Sequence, residues 1–158
     1  MSVIDSIRDL LHIHVKIPEL ENENPSQQEI LDEAIANPGI FDSQLYLFET
    51  VGILLSLLFR VPEQQSTLLL TIVKPLLDDL SANLQTARKG SPDVLHILDV
   101  HHSIIALGNV AKGFPDYPSP VPEGYILPPL DVFGQVAQAI LVCLDAMNVF
   151  RIVRDAVS

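Results

Sequence analysis

Tryptophan is absent from this 158-residue sequence, and aromatic side chains make up only 6% of it. Sheets draw on aromatic and β-branched residues, whereas Leu-rich, aromatic-poor chains suit helices packed on helices. Cysteine occurs once, as Cys143. An internal disulfide is thereby excluded, and the count agrees with a reducing compartment. Cations are scarce: nine Lys and Arg stand against twenty Asp and Glu, for a formal net charge of −11. Nucleic-acid affinity comes largely from Lys and Arg displacing counterions from phosphate. This sequence alone is therefore expected to be a poor RNA or DNA surface, and a basic partner is easier to justify. Long apolar runs are also missing. Stretches such as Val51–Phe59 fall well short of the roughly 20 residues that a membrane span needs. No basic leader followed by an apolar run opens the chain, so no signal peptide is expected. Together these absences point to the cytosol or nucleus.

What is present is apolar bulk. Hydrophobic residues reach 48% while charged ones stop at 18%, below the roughly 25% of an ordinary soluble domain. That balance suggests a piece that hides surface inside a larger body. The apolar residues fall at helical spacing. Val3, Ile4, Ile7, Leu10 and Leu11 trace one face of a helix expected from Ser2 to about His14. An acidic loop with Glu19, Glu21 and Glu23 follows, and Ser26 with Glu29 forms a capping-box pattern for a short helix to about Ala36. Asn37-Pro38-Gly39 stops it. The next helix is expected from about Asp42 to Phe59. Ile53, Leu54 and Leu57 make its other sides apolar too, which predicts neighbours on several sides.

Pro62 opens a long helix to about Ala87, with Leu69, Ile72, Val73, Leu76, Leu80 and Leu84 on one face. Pro75 lies inside it and predicts a kink. Ser91 as N-cap and Pro92 at the first helical position open another, expected to run to Lys112. Its face reads Val94, Leu95, Leu98, His101, Ile105, Gly108 and Lys112. Gly113-Phe114-Pro115 stops it, and a Pro-rich connection over 114–129 leads to a helix from about Pro129 to Met147. A last helix is expected from Asn148 onward. The fold class is thus all-α, a HEAT-repeat-like α-solenoid of about six to seven antiparallel helices. Residues 1–40 would end a preceding repeat, 42–89 and 91–147 would be helix pairs, and 148–158 would begin a truncated repeat. The pairs start about fifty residues apart, longer than a simple HEAT or armadillo unit, and the Pro-rich connection accounts for the excess.

Signals for chemistry are weak. Gly108 to Phe114 superficially resembles a phosphate loop, but the Lys precedes the second Gly and no Ser or Thr follows. His12, His14, His96, His101 and His102 include no i, i+4 pair that could grip zinc from one helix. Asp99 and His102, three apart, suit a local hydrogen-bonded pair. Cys143 reads as a buried thiol, Asp78 and Asp79 as a solvated face, and Glu49 as the ion partner of a Lys on the next helix or of a helix N-terminus. No cofactor, metal or catalytic group is expected. The six carboxylates from Glu19 to Glu33, with no cation among them, read as a solvated loop, with a contact to a basic partner as the functional alternative.

Two phrases carry a resemblance. They are Tyr46-Leu-Phe-Glu-Thr-Val-Gly-Ile-Leu, with Gln65-Ser66 and Lys74-Pro75-Leu-Leu beyond it, and His101-His102-Ser-Ile-Ile-Ala-Leu-Gly-Asn-Val-Ala-Lys-Gly-Phe-Pro115. Both resemble the middle of the exportin-T family, tRNA export receptors of the importin-β class, in its fungal form. The resemblance implies a HEAT-repeat superhelix, a parent chain much longer than this one, and shuttling between nucleus and cytoplasm. It also implies Ran-GTP and tRNA as partners of the full receptor, with nucleoporins on its path. The segment itself would be a curved spacer and a weak RNA binder. The candidate RNA-facing cations are Lys74, Arg88, Lys89 and Lys112; Glu19, Glu21 and Glu23 are the candidate contacts to Ran or to the array. Two other classes stand beside this reading. One is a free-standing acidic adaptor for a basic protein or peptide; the other is a helical enzyme using Glu49 or His101.

Overall fold

The structure is a computed structural model that describes residues 3–89, 93–116 and 119–147, apart from the side chains of residues 3–5, 87, 88, 146 and 147. Among the described residues all regular structure is helical, as expected of a HEAT-like α-solenoid. The helices are α1 (Val3–Leu10), α2 (Gln27–Ala36), α3 (Ile40–Ser56), α4 (Pro62–Lys89), α5 (Val94–Lys112) and α6 (Leu130–Met147). The expected helices are all there except the one from Asn148, which lies outside the described residues.

The ends follow local chemistry. Ser26 accepts from the Glu29 N–H at 3.2 Å, and Glu29 Oε2 accepts from the Ser26 N–H at 2.7 Å, completing the capping box of α2. Gly39, at φ 61°, turns the chain from α2 into α3, a conformation that costs Gly nothing. The first helix is shorter than its apolar spacing predicts. It stops at Leu10 because Gln44 of α3 takes the Leu10 and His12 carbonyls with its Nε2, at 3.0 and 2.9 Å. The opening of α5 also differs. Asp93, not Ser91, is the N-cap, and its side chain accepts from the His96 N–H at 3.0 Å. Ser91 and Pro92 lie outside the described residues. The long helix continues through Pro75.

Packing places α5 at the centre. It lies against α3 and α4, touches α2 and α6, and α6 rests mainly on α4. The expected pairings by sequence, α3 with α4 and α5 with α6, are the lighter contacts. Burial agrees: α5 encloses Val94, Ile97, Leu98, Val100, His101, His102, Ser103, Ile104, Ala106, Leu107 and Val110. One expected face is therefore wrong. Leu95 and Gly108 are exposed and Ile105 only half-buried, because three flanks of this helix are covered and no single stripe describes it. By length and composition α5 is apolar enough to cross a membrane; enclosure within the stack accounts for that composition. In α4, Leu69, Val73, Leu76, Leu80 and Leu84 are buried as the spacing predicts, and in α6 Val132, Val136 and Cys143 face inward.

Two anchors fix how α3 meets α5. Near its start, Phe41 stacks on His102 with ring centroids 3.9 Å apart. Eleven residues on, Gly52 sits against Val110 and Gly113. Both anchors pair residues 61 positions apart, so α3 and α5 run parallel, as the like helices of successive solenoid units do. At the second anchor the two backbones touch. A Cβ on Gly52 would collide with the Val110 carbonyl oxygen, and one on Gly113 with the Glu49 carbonyl and the Ile53 amide. Gly113 has φ −67°, available to any residue. Close approach, not the stopping of α5, is what demands glycine there. Gln65 secures the turn between α3 and α4. Its amide is buried, and its Nε2 donates to the Leu55 carbonyl at 2.9 Å, which also accepts from the Leu58 N–H at 3.0 Å.

Gly52→Ala should lower unfolding stability by about 3 kcal/mol, because backbone cannot yield as a side-chain tip does. Gly108→Ala, where nothing lies within 4 Å of the added carbon, should raise it by about 0.5–1 kcal/mol through helix propensity alone. Urea unfolding of the two variants checks both; equal shifts would contradict the close approach. In the same assay Gln65→Leu should cost about 1 kcal/mol, since the Leu55 carbonyl loses one of its two donors.

Candidate functional site

The surface candidates fall in separate places. Glu19, Glu21 and Glu23 are all exposed in the connection between α1 and α2. This segment is tethered at its start by Gln44 and at its end by the Ser26 capping box. Glu29 at that box is held below the usual carboxylate range by the Ser26 backbone and side-chain hydrogen bonds. The connection presents negative charge, with Asp32 exposed on the helix that follows.

The expected cations do not gather. Lys74 pairs with Asp78 one turn along α4, at 2.9 Å with both side chains largely exposed. Lys89 lies exposed at the end of that helix, fifteen residues and roughly 22 Å of helix rise away. The side chain of Arg88 lies outside the described residues. Lys112 reaches across from α5 to Glu49 of α3, Nζ to Oε2 3.1 Å. Glu49 therefore pairs with a Lys, as its sequence setting suggested, but on α5 and not on the next helix, α4. A paired, exposed Lys remains a surface charge but contributes about 1 kcal/mol or less to stability. Two of the three described cations are thus locally neutralised, and the arrangement is not a phosphate-gripping patch.

The polar groups inside the stack are better organised than sequence reasoning found. His101 and His102 are both buried, with their Nδ1 atoms 3.1 Å apart. Burial holds His101 below its ordinary value; burial, with the neighbouring His101, pushes His102 down to about 4. The expected Asp99–His102 pair does not form: His102 is engaged by His101 and Phe41 instead. Asp99 is raised by burial and by the charge of Asp79. Asp79 is exposed, as its reading in a solvated face expects, and partial burial of its carboxyl raises it. It lines a cavity of about 370 Å³ with Arg8, Asp9 and His12 under the end of α1. Among the described residues no group of three or more His, Cys, Asp or Glu is placed to hold a metal ion.

One broad apolar surface is open. Ile40, Tyr46, Leu47, Ile53, Leu54 and Leu57 are exposed along α3, with Ile40 at 75% and Tyr46 at 69%. The expectation of neighbours on several sides of this helix is not met within the described residues. α5 and, more lightly, α4 lie against it, and among the described residues no helix covers the flank that carries these side chains.

These features agree with what comparison with known proteins finds. The family model for Exportin-T matches residues 1–158. Exportin-T of Laccaria bicolor is 61% identical over 155 residues, covering 98% of this chain and 14% of that protein. Exportin-T of Coprinopsis cinerea is 51% identical over 157 residues, covering 99% and 14%. Exportin-T of Mycosarcoma maydis is 37% identical over 159 residues, covering 98% and 14%. The chain thus spans about one seventh of the length of the curated relatives it matches. A match along the whole of this helical stack, at these identities, means that the chain belongs to the Exportin-T family.

Proposed function

We propose that this chain is a scaffold segment of a nuclear export receptor that carries tRNA out of the nucleus together with Ran-GTP. In this reading it is a spacer of two stacked units, 42–89 and 91–147, and no catalyst. The full-length receptor shuttles between nucleus and cytoplasm and passes nucleoporins, while tRNA and Ran-GTP engage surfaces mainly outside this segment. The observation that carries the reading is the family match over a parallel, glycine-locked helix stack whose cations are few and scattered. Phosphate recognition needs convergent Lys and Arg, and here Lys74 and Lys112 already face carboxylates. Glu19, Glu21 and Glu23 offer a negative edge suited to a basic protein surface, not to RNA.

The test uses the full-length receptor with Ran-GTP. Replacing Lys74, Lys89 and Lys112 by Ala together should change tRNA affinity less than about threefold and leave its salt dependence unaltered. Each lost phosphate contact would instead lower the slope of log affinity against log salt by about one. The 158-residue chain alone should bind tRNA only weakly at physiological salt. Tight binding by it, or a slope reduced by two or three, would overturn the spacer reading.

A further inference from the structure

The junction of α2, α3 and α5 is built around a pair of neutral imidazoles. His102 lies between Phe41, stacked on it at 3.9 Å and 22°, and His101, whose Nδ1 is 3.1 Å from its own. A contact of that length between two ring nitrogens holds one hydrogen, so one ring donates and the other accepts. A proton added to the accepting nitrogen sets two N–H groups against each other, and the contact fails. Beside His102 the backbone acceptor is the Leu98 carbonyl, one turn back along α5, whose pull on a proton is outweighed by burial. His102 lines a cavity of about 570 Å³ whose other walls are His14, Lys16 and Pro18 after α1, Ala34, Asn37 and Pro38 at the end of α2, and Ile40, Phe41 and Gln44 of α3. The titratable groups among these are His14 and Lys16 from the loop, with none from α2 or α3; α5 adds His101. Asn37 in that lining donates to Glu33 at 2.7 Å, and the carboxylate on the same helix as the ring is Asp99, three residues before it.

We propose that Phe41, His102 and His101 form a proton-operated latch: while both imidazoles are neutral it holds the α2–α3 link and the connection before α2 onto α5, and protonation of the accepting ring releases them. The cavity beside His102 gives the ring a place to swing, and Gly39 at φ 61° gives the link a turn that can follow. The central stack of α4, α5 and α6 does not pass through the latch and stays closed when it opens.

The direction with pH follows from linkage. Both rings bind protons less readily when latched than when free, so the open state gains protons first. Latching is full above the ordinary histidine value of 6.5 and is lost as pH falls from there toward about 4, where His102 itself titrates. Asp79 and Asp99 also titrate above their ordinary range; Asp79 lines the α1–α4 cavity, and Asp99 is coupled to it by charge.

Amide hydrogen exchange of the 158-residue chain at pH 6.5 and pH 4.5, corrected for intrinsic rates, tests the latch. Protection across residues 34–44 should fall by tenfold or more at the lower pH, while protection in α4 and in α5 beyond Ala106 changes less than twofold. His102→Phe, which stacks on Phe41 but takes no proton, should keep its protection at pH 4.5, and His14→Gln should behave as the parent chain does. Imidazole nitrogen shifts of the unsubstituted chain give a second readout, free of any folding defect in a variant. They should show His102 neutral at pH 5.5. A loss of protection identical in His102→Phe and the parent, a uniform loss across all helices, or a His102 charged at pH 5.5 would each overturn the proposal.

Discussion

The contact on which the rest depends is the meeting of two backbones at Gly52 and Gly113. Because neither residue carries a Cβ, α3 and α5 approach until main-chain atoms touch. That distance brings Lys112 within reach of Glu49 and, eleven residues back, sets Phe41 over His102. The parallel direction of the two helices follows from having both anchors at one offset. Once α3 and α5 are fixed, the intervening α4 must run back the other way, packed mainly on α5, and Gln65 closes that return by binding the end of α3. A helix stack usually takes its crossing angle from side-chain ridges and grooves. Here the tightest part of the crossing is set by the absence of side chains, which leaves little freedom for the angle to drift.

The surface chemistry complements that stiffness. Carboxylates outnumber cations by more than two to one, and the described ion pairs absorb part of the positive charge rather than present it. The two raised carboxylates, Asp79 and Asp99, and the two depressed imidazoles all lie where helices meet. The perturbed groups are thus tied to packing between elements. Perturbed groups of this kind also arise in structural networks, and the scattered placement here suits a scaffold better than a reaction centre.

Much of the fold was legible from residue spacing. The capping box at Ser26 and Glu29, the buried stripe of α4 and the starts of α4 and α6 all follow from local rules that need no tertiary information. The failures share a cause. Leu95 and Gly108 were assigned inward because a single helical stripe was sought on α5, yet a helix enclosed on several flanks has no stripe to find. Gly113 was read as a stop signal, since close approach between helices leaves no trace in the residues around it. Gln65 sits in a polar, ordinary-looking turn, and only the end of a second helix gives its amide a purpose. Asp93 displaced Ser91 because either residue type can cap, and the choice depends on where α5 meets its neighbours. For the surface candidates, charge and exposure could be read, but the pairing of Lys112 with Glu49 spans 63 positions and no cation in the sequence announces its partner.

The uncovered flank of α3 carries a consequence for how copies of this chain behave in solution. An apolar strip from Ile40 to Leu57 invites association, while a charge of −11 on each molecule opposes it. The two forces differ in range and in their response to ions. Repulsion between like-charged bodies shrinks as the Debye length falls from about 30 Å at 0.01 M to about 3 Å at 1 M salt, whereas burial of hydrocarbon is undiminished and is strengthened by excluded salts such as sulfate. Colloidal stability of the isolated chain is therefore governed by its counterion cloud: dispersed in dilute buffer, and increasingly sticky along one helix as that cloud contracts.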